Sequence, residues 1–157
     1  MSAVPKDADY IAEADYLAGE RQARERHEYV DGKVYAMAGA SKRHSQMVLN
    51  IAFALRTAAQ QAGCQVFSSD VKVRVARRNA YYYPDVVVGC AADDVDEYWL
   101  EKPCLLVEVT SRSTEWKDYN EKMVAYQTLE SLRGYLVVAQ DQVQATLFYR
   151  EEDGGGG

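Results

Sequence analysis

Two carboxylates stand inside apolar, β-branched stretches of the sequence. Asp85 precedes a Val-Val-Val run, and Glu108 lies between Val107 and Val109. Burial of an unpaired charge is costly, so acids persist at such positions where they hold a partner. Oxygen ligands of this kind suit Mg²⁺ or Mn²⁺. The pair therefore predicts a divalent-metal site, and the rest of the chain must bring its two strands side by side.

Each acid also has a structural interpretation. Asp85 could cap a turn after Pro84, and Glu108 could pair with a buried lysine or arginine. Glu28 begins a predicted hairpin and is either a third ligand or a surface residue. The strands of Asp85 and Glu108 are joined by one loop, so we expect them to be neighbours in a sheet.

Hydrophobic periodicity predicts the elements of the first half of the chain. Apolar residues at helical spacing favour a short helix over Asp9–Leu17, followed by a charged loop over Gly19–Arg26. Alternating runs around an Asp-Gly pair at 31–32 predict a hairpin. A long helix follows, with Ser41 as N-cap and Gly63 just after its end.

Strands dominate the second half, with one more helix. Alternating valines predict a strand over Val66–Val75, and further strands are expected over Tyr82–Val88 and Leu105–Thr110. The other predicted segments are a turn at 77–80, an acidic loop at 93–102, a helix at 115–132 capped by Ser113 or Thr114, and strands at 135–139 and 145–149. This order predicts an α/β fold with a mixed sheet flanked by helices and an N-terminal hairpin.

Length and composition agree with one globular domain. The 157 residues are 48% hydrophobic and 27% charged, and we expect one domain over residues 1–150 with an acidic, glycine-rich tail at 151–157 that is disordered. No apolar run is long enough to cross a membrane, and the N-terminus does not read as a signal peptide. We therefore expect a cytoplasmic protein.

The three cysteines are odd in number and far apart in the sequence. Cys64, Cys90 and Cys104 form no CxxC pair, and only two histidines could join them at a zinc site. Their apolar neighbours predict small buried side chains in a reducing compartment, with neither zinc nor a disulfide.

One basic stretch could contact nucleic acid despite the net charge of −6. It lies beside three consecutive tyrosines whose rings could stack on bases. Its cations are Lys72, Arg74, Arg77 and Arg78. The alternative is a set of charges that is merely solvated.

Taken together and in order, the motifs resemble the Uma-two family, a bacterial group of restriction-endonuclease-like proteins in the PD-(D/E)XK nuclease superfamily. The similarity spans about Tyr10 to Tyr149. Its pieces are Glu28-Tyr-Val-Asp-Gly-Lys-Val-Tyr35, Ser41-x-x-His44, Tyr83-Pro-Asp-Val-Val-Val88, Leu106-Val-Glu-Val-Thr-Ser-x-Ser-Thr114, Asp118, Glu121-Lys122 and Tyr126.

The resemblance implies an activity and roles for particular residues. It implies an Mg²⁺- or Mn²⁺-dependent endonuclease that hydrolyses DNA with metal-activated water, the metal held by Glu28, Asp85 and Glu108. The superfamily's lysine stands two residues after the glutamate, where this chain has Thr110. The Uma-two pattern moves that lysine to the next helix, which points to Lys122, unless Lys122 is simply solvated.

Two further implications concern His44 and assembly. His44 would touch phosphate or metal-bound water, or else bond to neighbouring backbone. Because a duplex needs two cuts, we expect a homodimer. The rival functions are a catalytically silent nucleic-acid- or protein-binding module that retains the nuclease fold, and a metal-dependent hydrolase of a small phosphate ester.

Overall fold

The computed structural model describes residues 9–110 and 116–151, with side chains in the second range from residue 120 onwards. Three α-helices lie in these ranges: α1 (Glu13–Gln22), α2 (Lys42–Gln61) and α3 (Trp116–Tyr126). The strands are β1 (His27–Val30), β2 (Lys33–Ala36), β3 (Gln65–Ser68), β4 (Lys72–Val75), β5 (Ala80–Tyr82), β6 (Val86–Gly89), β7 (Trp99–Leu100), β8 (Pro103–Thr110), β9 (Gly134–Ala139) and β10 (Ala145–Tyr149).

The strands form two five-stranded sheets with helices against them. The first sheet has the order β2-β1-β5-β4-β7, and the second has the order β10-β9-β8-β6-β3. Two pairs, β4–β7 and β8–β9, are parallel, and the other pairs are antiparallel. The predicted α/β class with flanking helices is confirmed, but the expected sheet is divided in two.

Two of the predicted strands are each split between the sheets. The stretch 66–75 contains β3 and β4, separated by a turn in which the Val71 amide donates to the Ser68 carbonyl at 3.3 Å. The stretch 82–88 is interrupted at Pro84, which has no N–H to donate to a ladder. Apolar strand residues stand on both sides of each break, so the hydrophobic pattern alone does not reveal the change of sheet.

The second sheet buries both of its faces. Leu106 and Val87 pack towards Tyr126 of α3, while Val107 and Val109 pack with Val48 of α2 on the other side. Successive residues of a strand point to opposite faces. Glu108 therefore shares the α3 face with Leu106.

The predicted cap and end of the long helix and the predicted hairpin turn are present in the structure. Ser41 Oγ accepts a hydrogen bond from the His44 amide at 3.0 Å, which caps α2. Gly63 follows the helix with φ of +78°. The β1–β2 turn has positive φ at both central residues, Asp31 at 44° and Gly32 at 93°, as the tight hairpin requires.

Other boundaries differ from the predictions. Helix α1 begins at Glu13 and continues through Gln22, where a loop was expected. Its acids have tertiary partners that the sequence does not show, since Glu20 bonds to the Tyr83 hydroxyl and Glu13 to Arg74. Helix α3 ends at Tyr126, and turns rather than helix lead to Leu132. The acidic loop contains β7. The caps Ser113 and Thr114, the side chain of Asp118 and the glycine tail lie outside the described residues.

The prediction for the cysteines is wrong. Cys64 and Cys90 form a disulfide, and the Cys104 thiol lies 3.0 Å from the Cys90 sulfur. Residues distant in sequence meet here because β3, β6 and β8 are consecutive strands in one sheet. Among the described helices, none has the length and apolar character of a membrane span.

Candidate active site

Asp85 and Glu108 are neighbours at one end of the β6–β8 pair. Val86 pairs with Val107 across this antiparallel ladder. Asp85 directly precedes β6, and Glu108 directly follows Val107 in β8, so the two acids lie close together. The Val109 amide donates to Asp85 Oδ2 at 2.7 Å, which fixes this carboxylate at the start of β6.

Lys122 joins Glu108 to a third acid, Glu28. Its Nζ atom lies 3.5 Å from Glu28 Oε1 and 3.5 Å from Glu108 Oε2, with all three side chains at most 13% exposed. Glu28 Oε2 accepts a hydrogen bond from the Tyr83 amide at 2.9 Å. The structure thus brings together predicted residues from β1, β8 and α3.

Tyr126 belongs to this group, although the sequence reasoning gave it no functional role. Its hydroxyl donates to Glu108 Oε2 at 3.1 Å. Lys122 and Tyr126 are four residues apart on α3, so they lie on the same helical face. The Lys122 ammonium also lies 5.7 Å from the centroid of the Tyr82 ring. The spacing of Lys122 and Tyr126 was the signal that could have identified the tyrosine.

His44 connects α2 to the same site. Its Nε2 atom lies 3.3 Å from Asp85 Oδ2. The Ser41 cap sets the first turn of the helix, and that turn places the imidazole beside the carboxylate. The structure shows a partner for His44 in the predicted site.

The site holds more negative than positive charge. Burial, together with the carboxylates of Glu28 and Asp85, raises the pKa of Glu108 to about 7. The Lys122 ammonium and the Tyr126 hydrogen bond act in the opposite direction without cancelling the increase. Lys122 therefore offsets only part of what burial and the neighbouring acids do to Glu108.

The acids fit a divalent ion by their chemistry. Hydrogen bonds from the described residues use Oδ2 of Asp85 and Oε2 of Glu108, which leaves one oxygen of each of these two carboxylates for a cation. Both oxygens of Glu28 already have partners, so Glu28 would exchange one of them for the ion. Carboxylate oxygens are the ligands that Mg²⁺ and Mn²⁺ prefer. Among the described residues, the group of three potential ligand atoms that lie within 4.8 Å of one another is made of cysteines, not of these acids. The three carboxylates would therefore have to move closer together to bind one ion.

Two of the four predicted nucleic-acid contacts are buried or half-buried against internal partners, and a third, Arg77, has one exposed ion pair with Glu130 at 3.5 Å. Lys72 is buried and lies 5.6 Å from the centroid of the Tyr83 ring, and burial lowers its pKa. Arg74 bonds to Glu13 at 3.1 Å and to Glu101 at 3.2 Å. This placement favours structural roles for both cations.

The other two, Arg77 and Arg78, are exposed. They precede β5, whereas Asp85 follows it. A strand rises about 3.3 Å per residue, so these arginines can lie well away from the acids. Lys42 and Arg43 are exposed in the first turn of α2, next to His44.

Comparison with known proteins assigns the family. The sequence profile of the Uma2 family, described as "Putative restriction endonuclease", matches residues 13–156. The chain belongs to the Uma2 (Uma-two) family. It is 34% identical over 145 residues to the uncharacterized protein slr1290 of Synechocystis sp. PCC 6803, covering 92% of this chain and 76% of that protein.

Two further comparisons agree with this Uma2 assignment. The uncharacterized protein sll1609 of the same organism is 32% identical over 133 residues, covering 83% of this chain and 75% of the relative. A crystal structure described as "a putative nuclease belonging to DUF820 from Anabaena variabilis" superposes with a TM-score of 0.68 at 14% identity, over 88% of this chain and 84% of the other. At that identity the likeness shows a shared fold.

In this Uma2 chain, Thr110 occupies the position of the superfamily's usual lysine and is buried in β8. Lys122 of α3 reaches Glu108 instead. A cation is thus present beside the glutamate although it comes from a different element.

Proposed function

We propose that this chain is an Mg²⁺- or Mn²⁺-dependent endonuclease that hydrolyses DNA phosphodiester bonds, with Glu28, Asp85 and Glu108 as metal ligands. The observation that carries the proposal is the position of the Lys122 ammonium, 3.5 Å from both Glu28 and Glu108. A buried cluster with excess carboxylate charge is costly for stability, and such groups concentrate at functional sites. Membership of the Uma2 family supports the same reaction class.

Each side chain has a task in this proposal. When bound, the divalent ion supplies Lewis-acid chemistry at the phosphate and activates water. Asp85 is held for ligation by the Val109 amide and by His44. Lys122 offers a fixed positive charge to the phosphate, whose negative charge rises in the transition state. Tyr126 orients Glu108.

The proposed DNA contacts follow from the exposed cations. Lys42 and Arg43 lie beside His44 at the start of α2 and would contact the phosphates next to the cleaved bond. Arg77 and Arg78 would contact phosphates farther along the duplex. A homodimer would present one site to each strand.

The test is nicking of a supercoiled plasmid in Mg²⁺ or Mn²⁺. The doubly substituted protein Asp85→Asn/Glu108→Gln should lose metal-dependent nicking while its circular dichroism spectrum stays unchanged. Glu121→Gln is the matched control, because Glu121 is an exposed acid next to Lys122 on α3 and should retain activity. Undiminished nicking by the folded double variant would rule out the assignment.

A second candidate function is a binding module that retains the fold without catalysis. Lys122 already lies between two of the acids, and an ammonium there can compensate their charge without a metal. Calorimetric titration separates the two functions. Absence of heat at millimolar Mg²⁺ or Mn²⁺, together with DNA binding and no nicking, would favour the binding module.

A further inference from the structure

The three cysteines meet at one end of the second sheet. Cys64 directly precedes β3, Cys90 directly follows β6, and Cys104 lies near the start of β8. Their sulfur atoms all lie within 4.8 Å of one another. Cys64 and Cys90 are joined by a disulfide, so Cys104 carries the thiol proton in its 3.0 Å contact with Cys90.

A β-bulge directs the third cysteine to this point. Val88 pairs with Leu105, whereas Gly89 pairs with Pro103. Cys104 is thus the extra residue of β8, without a partner across the ladder. Bulges of this kind change the direction of a side chain and bend the strand. The irregularity therefore places the sulfur of Cys104 beside the other two.

This cysteine cluster is separate from the acid site. Asp85 precedes β6 and Cys90 follows it. The five-residue separation corresponds to about 17 Å along an extended strand. A ligand held by the sulfurs would therefore not share ligands with one held by the carboxylates.

We propose that the reduced cysteine cluster of Cys64, Cys90 and Cys104 binds one thiolate-preferring divalent ion of the Zn²⁺ class. Tetrahedral Zn–S bonds of about 2.3 Å place pairs of sulfurs about 3.8 Å apart. The three sulfurs lie within 4.8 Å of one another, so small shifts after reduction of the Cys64–Cys90 bond bring them to that spacing. Zn²⁺ ordinarily takes four ligands. The fourth position would be filled by solvent, since Cys90 lies at the exposed side of the cluster.

The disulfide and the metal site are alternative states of the same sulfurs. A dithiol reductant transfers two electrons and two protons to the Cys64–Cys90 bond and is itself oxidised to a disulfide. The three resulting thiols then release their protons as the sulfurs bind the ion. Reduction is therefore a precondition for metal binding.

Internal thiol–disulfide exchange explains the arrangement less well. Exchange would require the Cys104 thiolate to attack the Cys90 sulfur and release Cys64. Exchange uses the sulfurs only two at a time at each bond, whereas one bound ion uses all three sulfurs that the sheet brings together.

The direct test is titration of the dithiol-reduced full chain with Cd²⁺ after removal of the reductant, monitored by thiolate-to-metal charge-transfer absorption. We expect one Cd²⁺ per chain and competition by Zn²⁺. Cys90→Ser should weaken binding by more than about 100-fold, because loss of a supporting outer-shell partner alone costs about 10- to 100-fold. Glu108→Gln should bind Cd²⁺ at the cysteines as wild type does, which separates the two sites.

A second measurement separates metal binding from a disulfide alone. Cys104→Ser leaves the Cys64–Cys90 pair intact, so it should still form the disulfide when oxidised and should lose the Cd²⁺ band when reduced. In the reduced wild type, Zn²⁺ should protect all three thiols from alkylation, as read by mass spectrometry. An absent Cd²⁺ band in reduced wild type, a full band in Cys104→Ser, or unprotected thiols would each overturn the proposal.

Discussion

Two carboxylates in this molecule, Glu13 and Glu108, have pKa values shifted in opposite directions by their surroundings. In the Glu13 group, which comprises Glu13, Arg74 and Tyr81, the tyrosine hydroxyl donates at 2.6 Å and the guanidinium at 3.1 Å. The pKa of Glu13 is lowered, first by the Tyr81 hydrogen bond and then by Arg74. In the Glu108 group, which comprises Glu28, Asp85, Glu108 and Lys122, burial and neighbouring acids raise the pKa of Glu108 to about 7.

The difference is the one expected between an ion pair that supports the fold and a group that binds a cation, as proposed above. In the Glu13 group, partial exposure and two donors satisfy the acid. In the Glu108 group, the buried Lys122 contacts two of the three acids, Glu28 and Glu108, and the third, Asp85, lies beside His44. Unbalanced buried charge is what a bound cation would relieve. The following predictions test whether the two groups differ in this way.

The largest expected effect concerns the lysine of the Glu108 group. Lys122→Met should reduce plasmid nicking by roughly 1,000-fold, in the range found when one transition-state-stabilising donor is removed. The fold should be checked by circular dichroism. Arg74→Met, which removes the cation of the Glu13 group, is the matched control and should retain nicking. Equal losses in the two variants would show that the groups do not differ in function.

The next prediction concerns how the free energy of unfolding depends on pH when a metal chelator is present. The pKa of Glu108 is raised from 4.5 to about 7 on folding, so the folded state holds its proton more tightly. The free energy of unfolding should fall as pH rises through this window, by roughly 3 kcal/mol relative to Glu108→Gln. Urea unfolding of both proteins at several pH values measures the difference. Parallel stability curves would contradict the raised pKa.

Removal of the Tyr126 hydroxyl should have a smaller effect. Tyr126→Phe deletes the 3.1 Å hydrogen bond to Glu108, and a hydrogen bond to a charged group is worth about 2 kcal/mol. At pH 8 with a metal chelator present, where Glu108 is mostly ionised, the free energy of unfolding of the variant should be lower by that amount. The pKa of Glu108 should also rise, because the Tyr126 hydrogen bond lowers it. Tyr149→Phe serves as the control because Tyr149 is 70% exposed. Equal stabilities of the two variants would show that this bond does not stabilise the site.

The smallest effect is expected in the Glu13 group. Arg74→Met removes bonds to two partly exposed carboxylates, and pairs of this exposure contribute less than about 1 kcal/mol each. The loss should shrink in high salt, because mobile ions screen exposed charges. Thermal unfolding at low and high salt measures it. A loss that does not respond to salt would mean that Arg74 acts through packing.

Much of the candidate site was predictable because its acids stand out locally. Asp85 and Glu108 interrupt apolar runs, and the antiparallel pairing of β6 with β8 brings them close together. The placement of Lys122 required the family resemblance. Tyr126 was predicted only as a buried helix position, since periodicity identifies a buried face without showing what that face contacts.

The cysteines and the basic stretch show where local reasoning fails. Cys64 and Cys104 are 40 residues apart in sequence, and their meeting depends on which strands are neighbours. Lys72 and Arg74 look like solvent-facing charges of a strand, but helix α1 places Glu13 against Arg74, and Lys72 is buried. Sequence patterns describe one strand at a time, and these contacts arise between elements.

The sequence alone determined the local structure: the Asp-Gly hairpin, the Ser41 cap, the helix stop at Gly63 and the two acids within apolar strands. Each follows from backbone sterics, capping or the cost of burying charge, which act over a few residues. The tertiary structure decided the division into two sheets, the position of Lys122 between two acids and the meeting of the three cysteines. These depend on strand order and on the packing of helices across a sheet, and no short segment encodes those arrangements.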